Sequence, residues 1–335
     1  MGKHESWELK QMQSLPLKYK ILMSQQRIRD WYEYWNGNVY VSRSGGKDSD
    51  VLGHLVKEMY PDVPHVFVNT GLEYDSVRLH GKEIADIALK PKMSFVQVIT
   101  QYGYPVISKE ISLKVNRIQR NPNSAYKKFF DGSEKGKSIF DHSSYNWLLK
   151  APFRISDKCC DVMKKSPIKT YEKKSENKPF IGTLADESRL RKTKWLQYGC
   201  NAFDKRNPSS QPLSFWNEQD ILQYINQKNI KIAEVYGDLI YKDEDDMPYS
   251  NNLLTSLMAL ELTGEKRTGC IFCLFGIKQD TERFLRLKET EPKKYDYVMR
   301  GGKFDEQGMW IPHQGLGYKF VIDWLNEHGN LNIKY

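Results

Sequence analysis

Six consecutive residues, Ser44-Gly45-Gly46-Lys47-Asp48-Ser49, bring together the parts needed to hold an anion. Adjacent glycines let a backbone approach a ligand with no Cβ in the way. Lys47 adds a point charge, Ser44 and Ser49 add hydroxyl donors, and Asp48 adds a hard oxygen suited to magnesium or to capping a helix. Phosphate or sulfate is the guest such a set fits. A plain tight turn before a helix would use the same glycines and serines, so both readings stand on the loop alone. The Walker A spacing, Gly-x-x-x-x-Gly-Lys followed by Ser or Thr, is not met.

The cysteines form a second chemical set. Cys159 and Cys160 are adjacent, and Cys270 and Cys273 make a Cys-x-x-Cys pair. Four soft thiolates from two distant segments suit an iron–sulfur cluster or a structural zinc ion. Zinc ribbons usually present two spaced pairs, so the tandem pair inclines the choice toward the cluster. Cys200, in Tyr198-Gly199-Cys200-Asn201, reads as a buried inert thiol. Arg189 and Arg191, in a charged helix start, supply two guanidinium groups able to neutralise an oxyanion.

These residues need elements to position them. Val39-Tyr40-Val41 reads as a strand before the loop, and Val51, Leu52, Leu55 and Val56 recur at helical spacing after it. His65 to Val68 reads as a second strand ending in Asn69-Thr70-Gly71, and Pro179-Phe180-Ile181 as another before Gly182. Alternating strands and helices predict an α/β fold, a parallel sheet with helices on both faces. Ligands of such sheets sit at the carboxyl ends of strands, which places Asn69, Thr70 and Gly71 beside the loop. Ile21, Ile28, Trp31, Tyr32 and Trp35 fall on one face of an N-terminal helix, a pattern of core packing. The expected domains are that helix (1–36), a nucleotide-binding α/β domain (37–200) and a cysteine-bearing C-terminal region rich in helix and loop (201–335).

Within the second domain, residues 109–150 hold nine Lys or Arg against four acids, interleaved with Tyr126, Phe129, Phe130, Phe140, Tyr145 and Trp147. This reads as an insertion over or beside the nucleotide site. It is either a solvated basic face or a track for single-stranded nucleic acid. The whole chain of 335 residues carries 51 Lys and Arg against 42 Asp and Glu, net +9, a field favouring nucleotides or nucleic acid. No signal peptide or membrane-length apolar run is evident, so a soluble, cytoplasmic protein with no membrane partner is expected. In a reducing compartment a disulfide framework is a poor account of five cysteines.

Ser-Gly-Gly-x-Asp-Ser resembles the PP-loop of the adenine nucleotide alpha hydrolase superfamily. Val68-Asn69-Thr70-Gly71, Cys159-Cys160 with Lys165 and Pro167, Gly182 with Glu187-Ser188 and Arg191, Pro212-Leu213 with Trp216, and Gly269-Cys270 with Cys273 follow in order. As a set they resemble the phosphoadenosine phosphosulfate reductase family, over roughly residues 35–280.

The resemblance implies that Ser44 to Ser49 bind the phosphosulfate end of an adenine nucleotide. Asn69, Thr70, Gly71 and Gly182 would complete the nucleotide site, with Lys47, Asp48, Arg189 and Arg191 as the catalytic set. It also implies a 4Fe-4S cluster on Cys159, Cys160, Cys270 and Cys273, with zinc as the alternative. The implied reaction is reduction of adenosine phosphosulfate or phosphoadenosine phosphosulfate to sulfite, served by an electron or sulfur donor protein. Related branches instead use ATP and magnesium to thiolate DNA or tRNA, with Lys47 holding the leaving pyrophosphate and Asp48 the magnesium. A non-catalytic nucleotide or nucleic-acid binder is a third class. One departure stands out: the reductases carry a nucleophilic cysteine in a C-terminal Glu-Cys-Gly, and no cysteine follows Cys273 here. Cys200 is then the one candidate for that role.

Overall fold

A computed structural model describes residues 4–133, 135–136, 141–242 and 259–335. Phe140 of the basic stretch and residues 1–3 lie outside these. Contacts gather the chain into two units, Met1–Leu89 with Ile168–Thr268, and Lys90–Pro167 with Gly269–Tyr335. The division therefore differs from boundaries at 36 and 200. The loop, Asn69 to Gly71, Gly182, Arg189 and Arg191 fall in the first unit, while the basic stretch 109–150 and both cysteine pairs fall in the second. Strand pairing is the reason: Val106–Ile107 pairs with Leu274–Phe275, tying segments far apart in sequence into one body.

In the first unit, Pro16 splits the N-terminal segment into α1 (Ser6–Gln13) and α2 (Leu17–Tyr34), because proline has no N–H with which to continue the first helix. Ile28 and Trp31 of α2 are fully buried in one core with Val51, Leu52, Leu55 and Phe180. The aromatic stripe is thus core packing. A buried ion pair, Lys20 Nζ to Asp220 at 2.6 Å, and a hydrogen bond from Trp216 Nε1 to Ser24 Oγ at 2.9 Å fasten α2 to the rest of the unit.

The sheet starts with β1 (Val39–Arg43), followed by α3 (Lys47–Met59), β2 (His65–Val68), α4 (Asp75–Glu83) and β3 (Ile87–Leu89). After β4 (Val106–Ile107), which belongs to the second unit, the chain returns with β5 (Lys178–Ile181), β6 (Asn201–Ala202) and β7 (Ser209–Ser210). The strand order is β3-β2-β1-β5-β7-β6, parallel throughout except for β6 against β7. The α/β fold with a mainly parallel sheet and flanking helices is as expected. Val39, Tyr40 and Val41 are fully buried because β1 is a central strand covered on both faces.

The second unit packs around Tyr104, Phe153, Tyr318 and Trp324, whose rings meet edge to face at 5.3–5.7 Å. Its helix Lys109–Arg120, capped by Ser108 Oγ accepting from Ile111 N at 3.2 Å, buries Ile111, Val115 and Ile118. The basic stretch therefore begins as an amphipathic core helix. Lys114 lies buried, 2.7 Å from Glu110 and over the Phe129 ring, whereas Arg117, Arg120, Lys127 and Lys128 are exposed. Among the described residues no helix is long and apolar enough to cross a membrane.

Candidate functional site

The glycine loop joins the end of β1 to the start of α3, with Gly46 at the helix N-cap. Gly45 has φ +73°, and a Cβ on it would stand 2.6 Å from the Val77 carbonyl oxygen, so only glycine fits. The serines tie the loop to itself. Ser44 N donates to Ser49 Oγ at 3.1 Å, Ser49 Oγ donates to Gly46 O at 2.8 Å, and Gly46 N donates to Ser44 Oγ at 3.2 Å. Gly182, just past β5, backs the loop: a Cβ there would lie 2.8 Å from Asp48 O and 3.0 Å from Ser49 Cα. Gly182→Ala is expected to push the loop backbone aside at a cost of about 1–3 kcal/mol of stability. A thermal melt reads this directly, and a midpoint equal to wild type would refute the contact.

Charge at the loop is mixed. The buried Lys47 ammonium lies 3.6 Å from Asp48 Oδ1 and 3.5 Å from Glu218 Oε1, and donates to Lys266 O at 3.5 Å. Asp48 Oδ1 is itself buried with no hydrogen-bond partner. Burial, partly offset by Lys47 and reinforced by Glu187 and Glu218, raises the Asp48 pKa above the usual carboxylate range. Of the two arginines, Arg191 is ion-paired with Glu187, and Arg189 lies exposed at the first turn of the helix Arg189–Tyr198.

At the carboxyl end of β2, which pairs with β1 through Arg43 opposite Phe67, come Asn69, Thr70 and Gly71. Thr70 is buried and turned inward. Its Oγ1 donates to Glu73 at 2.5 Å and accepts from Leu72 N at 3.1 Å, shaping the turn. Asn69 N is held by Leu89 O, and Gly71 is exposed with φ +74°.

Sequence reasoning missed a buried polar cluster under the loop. Arg43 reaches Asp50 at 2.7 Å, and Asp50 also meets His80 Nε2 at 3.0 Å. His65 Nδ1 lies 3.5 Å from Arg43, and burial together with that guanidinium pushes the His65 ring down to about 4. Arg43 and Asp50 flank the loop in sequence, which was a signal. Tyr236, whose hydroxyl accepts from Lys47 N at 3.1 Å, is 189 positions away and gave none.

All four candidate cluster ligands belong to the second unit. Cys159 Sγ donates to Cys160 Sγ at 3.9 Å, and Cys273 N donates to Cys270 O at 3.1 Å, closing the Cys-x-x-Cys turn. The Cys159 contact lowers the Cys160 pKa, aided by Lys109 and Lys164. The same contact, burial and the charges of Cys160, Cys273 and Cys270 push Cys159 well up. Burial and Cys270 raise Cys273 to about 11. The four thiols thus feel one another's charge.

Among the described residues, however, no three Cys, His, Asp or Glu groups converge on a single ion. Four cysteine thiols within one unit are the donor type taken by a four-iron cluster or by a structural zinc ion.

Cys200 stands apart, 6% exposed in the first unit. Ser214 Oγ donates to its sulfur at 3.4 Å, and burial raises its pKa. It borders a cavity of about 210 Å³ shared with Arg27, Trp195 and Phe203. It immediately precedes β6, which lies three strand spacings from β1, on the order of 14 Å.

Residues 107–249 match the family described as Phosphoadenosine phosphosulfate reductase domain. That span holds Cys159, Cys160, Gly182, Arg189 and Arg191, and the glycine loop precedes it. The chain is 26% identical over 249 residues to sulfate adenylyltransferase subunit 2 of Shewanella frigidimarina (strain NCIMB 400), covering 63% of this chain and 68% of that protein. It is 25% identical over 240 residues to the protein of the same name from Pseudoalteromonas translucida (strain TAC 125), covering 61% and 66%.

Among solved structures it is similar to the phosphoadenylyl-sulfate (PAPS) reductase of Candida auris in a phosphate complex. The TM-score is 0.38 at 13% identity, over 69% of this chain and 90% of that one. It is also similar to the U34-tRNA thiolase NcsA of Methanococcus maripaludis with its 4Fe-4S cluster. There the TM-score is 0.32 at 14% identity, over 84% and 81%.

Proposed function

We propose that this chain, whose residues 107–249 match the phosphoadenosine phosphosulfate reductase domain, is a PP-loop enzyme of sulfur metabolism that cleaves ATP between its α and β phosphates and adenylates an acceptor. The observation that carries this reading is the Lys47–Asp48 pair at the mouth of the loop. An ammonium stands 3.6 Å from a carboxylate oxygen that has no hydrogen-bond partner. A cation for pyrophosphate beside a hard oxygen for magnesium is the equipment of phosphate chemistry.

In the proposed step an acceptor oxygen attacks the α phosphorus. The bond from that phosphorus to the α–β bridging oxygen breaks, and pyrophosphate leaves with the electron pair. Lys47 and the amides at the start of α3 take up the charge that develops on it. Asp48 would hold the magnesium, in a field made more negative by Glu187 and Glu218. Arg189, exposed at a helix start, would meet an anionic acceptor. A 4Fe-4S cluster on Cys159, Cys160, Cys270 and Cys273, when bound, would supply electron or sulfur transfer. Sulfite-forming reduction is the less supported alternative. It needs a thiolate nucleophile, and Cys200, the one cysteine outside the two pairs, is buried with its pKa raised.

The names of the relatives bring sulfate and a second subunit into consideration, and the exposed basic residues 117–128 bring in DNA or tRNA. Anaerobically prepared protein given radiolabelled ATP with sulfate, tRNA or a DNA oligonucleotide is expected to release pyrophosphate with one of them. Sulfite released from adenosine phosphosulfate, with no pyrophosphate from ATP, would overturn the reading in favour of reduction.

A further inference from the structure

The amide of Lys47, one of the donors at the start of α3, is already taken. It donates to the Tyr236 hydroxyl at 3.1 Å, and that hydroxyl shares a hydrogen with Thr268 Oγ1 at 2.6 Å. Tyr236 is 2% exposed, on a turn fixed from both sides: Val235 N donates to Ser76 Oγ at 3.2 Å, and Gly264 N to Tyr236 O at 2.9 Å. The Lys47 ammonium is engaged by the same segment, through Lys266 O at 3.5 Å, and by Glu218 at 3.5 Å. Three oxygens of the chain, a hydroxyl, a carbonyl and a carboxylate, therefore stand where the oxygens of a bound anion would be expected.

An N–H makes one good hydrogen bond, so a phosphate oxygen and the Tyr236 hydroxyl cannot both take the Lys47 amide at about 3 Å. We propose that Tyr236 is a built-in occupant of the anion cradle: nucleotide phosphate displaces its hydroxyl from the Lys47 amide, and the displacement loosens the strap that ends at Thr268. Tyr236 and Thr268 thereby set how tightly the loop holds phosphate. The inference rests on the reading of the loop as a phosphate site.

Inorganic pyrophosphate and ATP, titrated calorimetrically into the full chain, test it. Tyr236→Phe keeps the ring and removes the competing oxygen, so pyrophosphate is expected to bind on the order of fivefold more tightly, the worth of one net hydrogen bond. Thr268→Val, which frees the hydroxyl from its partner, is expected to shift affinity in the same direction. Hydrogen exchange of the 260–268 backbone is expected to rise when pyrophosphate is added to wild type, and to start high in Tyr236→Phe.

Weaker or equal binding by a folded Tyr236→Phe, with binding weakened by Lys47→Met, would overturn this inference alone by making the hydroxyl a ligand or a bystander. No pyrophosphate binding by wild type or either variant would overturn the loop reading together with it.

Discussion

Lys47→Met is expected to lower pyrophosphate release from ATP by about 10²–10³-fold while the protein stays folded. Methionine retains most of the buried aliphatic stem and removes only the ammonium, which lies between Asp48, Glu218 and Lys266 O. Without that ammonium the leaving pyrophosphate loses the cation at the start of α3. Asp48→Asn is expected to have a comparable effect by a different route. The side chain keeps its shape, the loop keeps Lys47, and the loss appears as a raised requirement for magnesium. Turnover at the wild-type rate in either variant would sink the assignment of the loop as the site of chemistry. Circular dichroism on the same preparations separates loss of fold from loss of charge.

Protein purified without oxygen is expected to be brown and to carry about four iron and four sulfide per chain. Cys159→Ser and Cys270→Ser, one from each pair, should each strip most of the iron, because a serine hydroxyl is a poor substitute for a thiolate corner ligand. Cys200→Ser should leave the colour intact, since its sulfur sits in the other unit, hydrogen-bonded by Ser214. A colourless preparation holding one zinc per chain would replace the cluster with a structural metal. Iron lost on Cys200→Ser would move the ligand set instead.

Much of this was legible in the sequence because it is local. The Gly45-Gly46 turn between a β-branched strand and a helix of regular apolar spacing states its own conformation, since φ of +73° at Gly45 and the helix N-cap at Gly46 follow from neighbours a few residues away. The parallel sheet followed from the alternation of strands and helices, and the core role of Ile28 and Trp31 from their spacing. The pairing of four thiols could be suspected from chemistry alone.

What lay beyond the sequence depends on which distant segments fold together. Gly182 is required as glycine because β5 pairs with β1 and brings its end against the loop backbone, a register no local pattern encodes. Lys114, counted from sequence as part of a basic surface, is buried because its helix turns that side onto the second unit's core. The domain limits moved because residues 106–107 found their strand partner at 274–275. By itself the sequence determined the loop, the fold class and the donor types. Only the tertiary structure decided that Tyr236 closes onto the Lys47 amide, that Cys200 is held in the core and that the buried Asp48 Oδ1 has the Lys47 ammonium 3.6 Å away but no hydrogen-bond partner. Burial and hydrogen-bond satisfaction belong to the packed chain and not to any stretch of it.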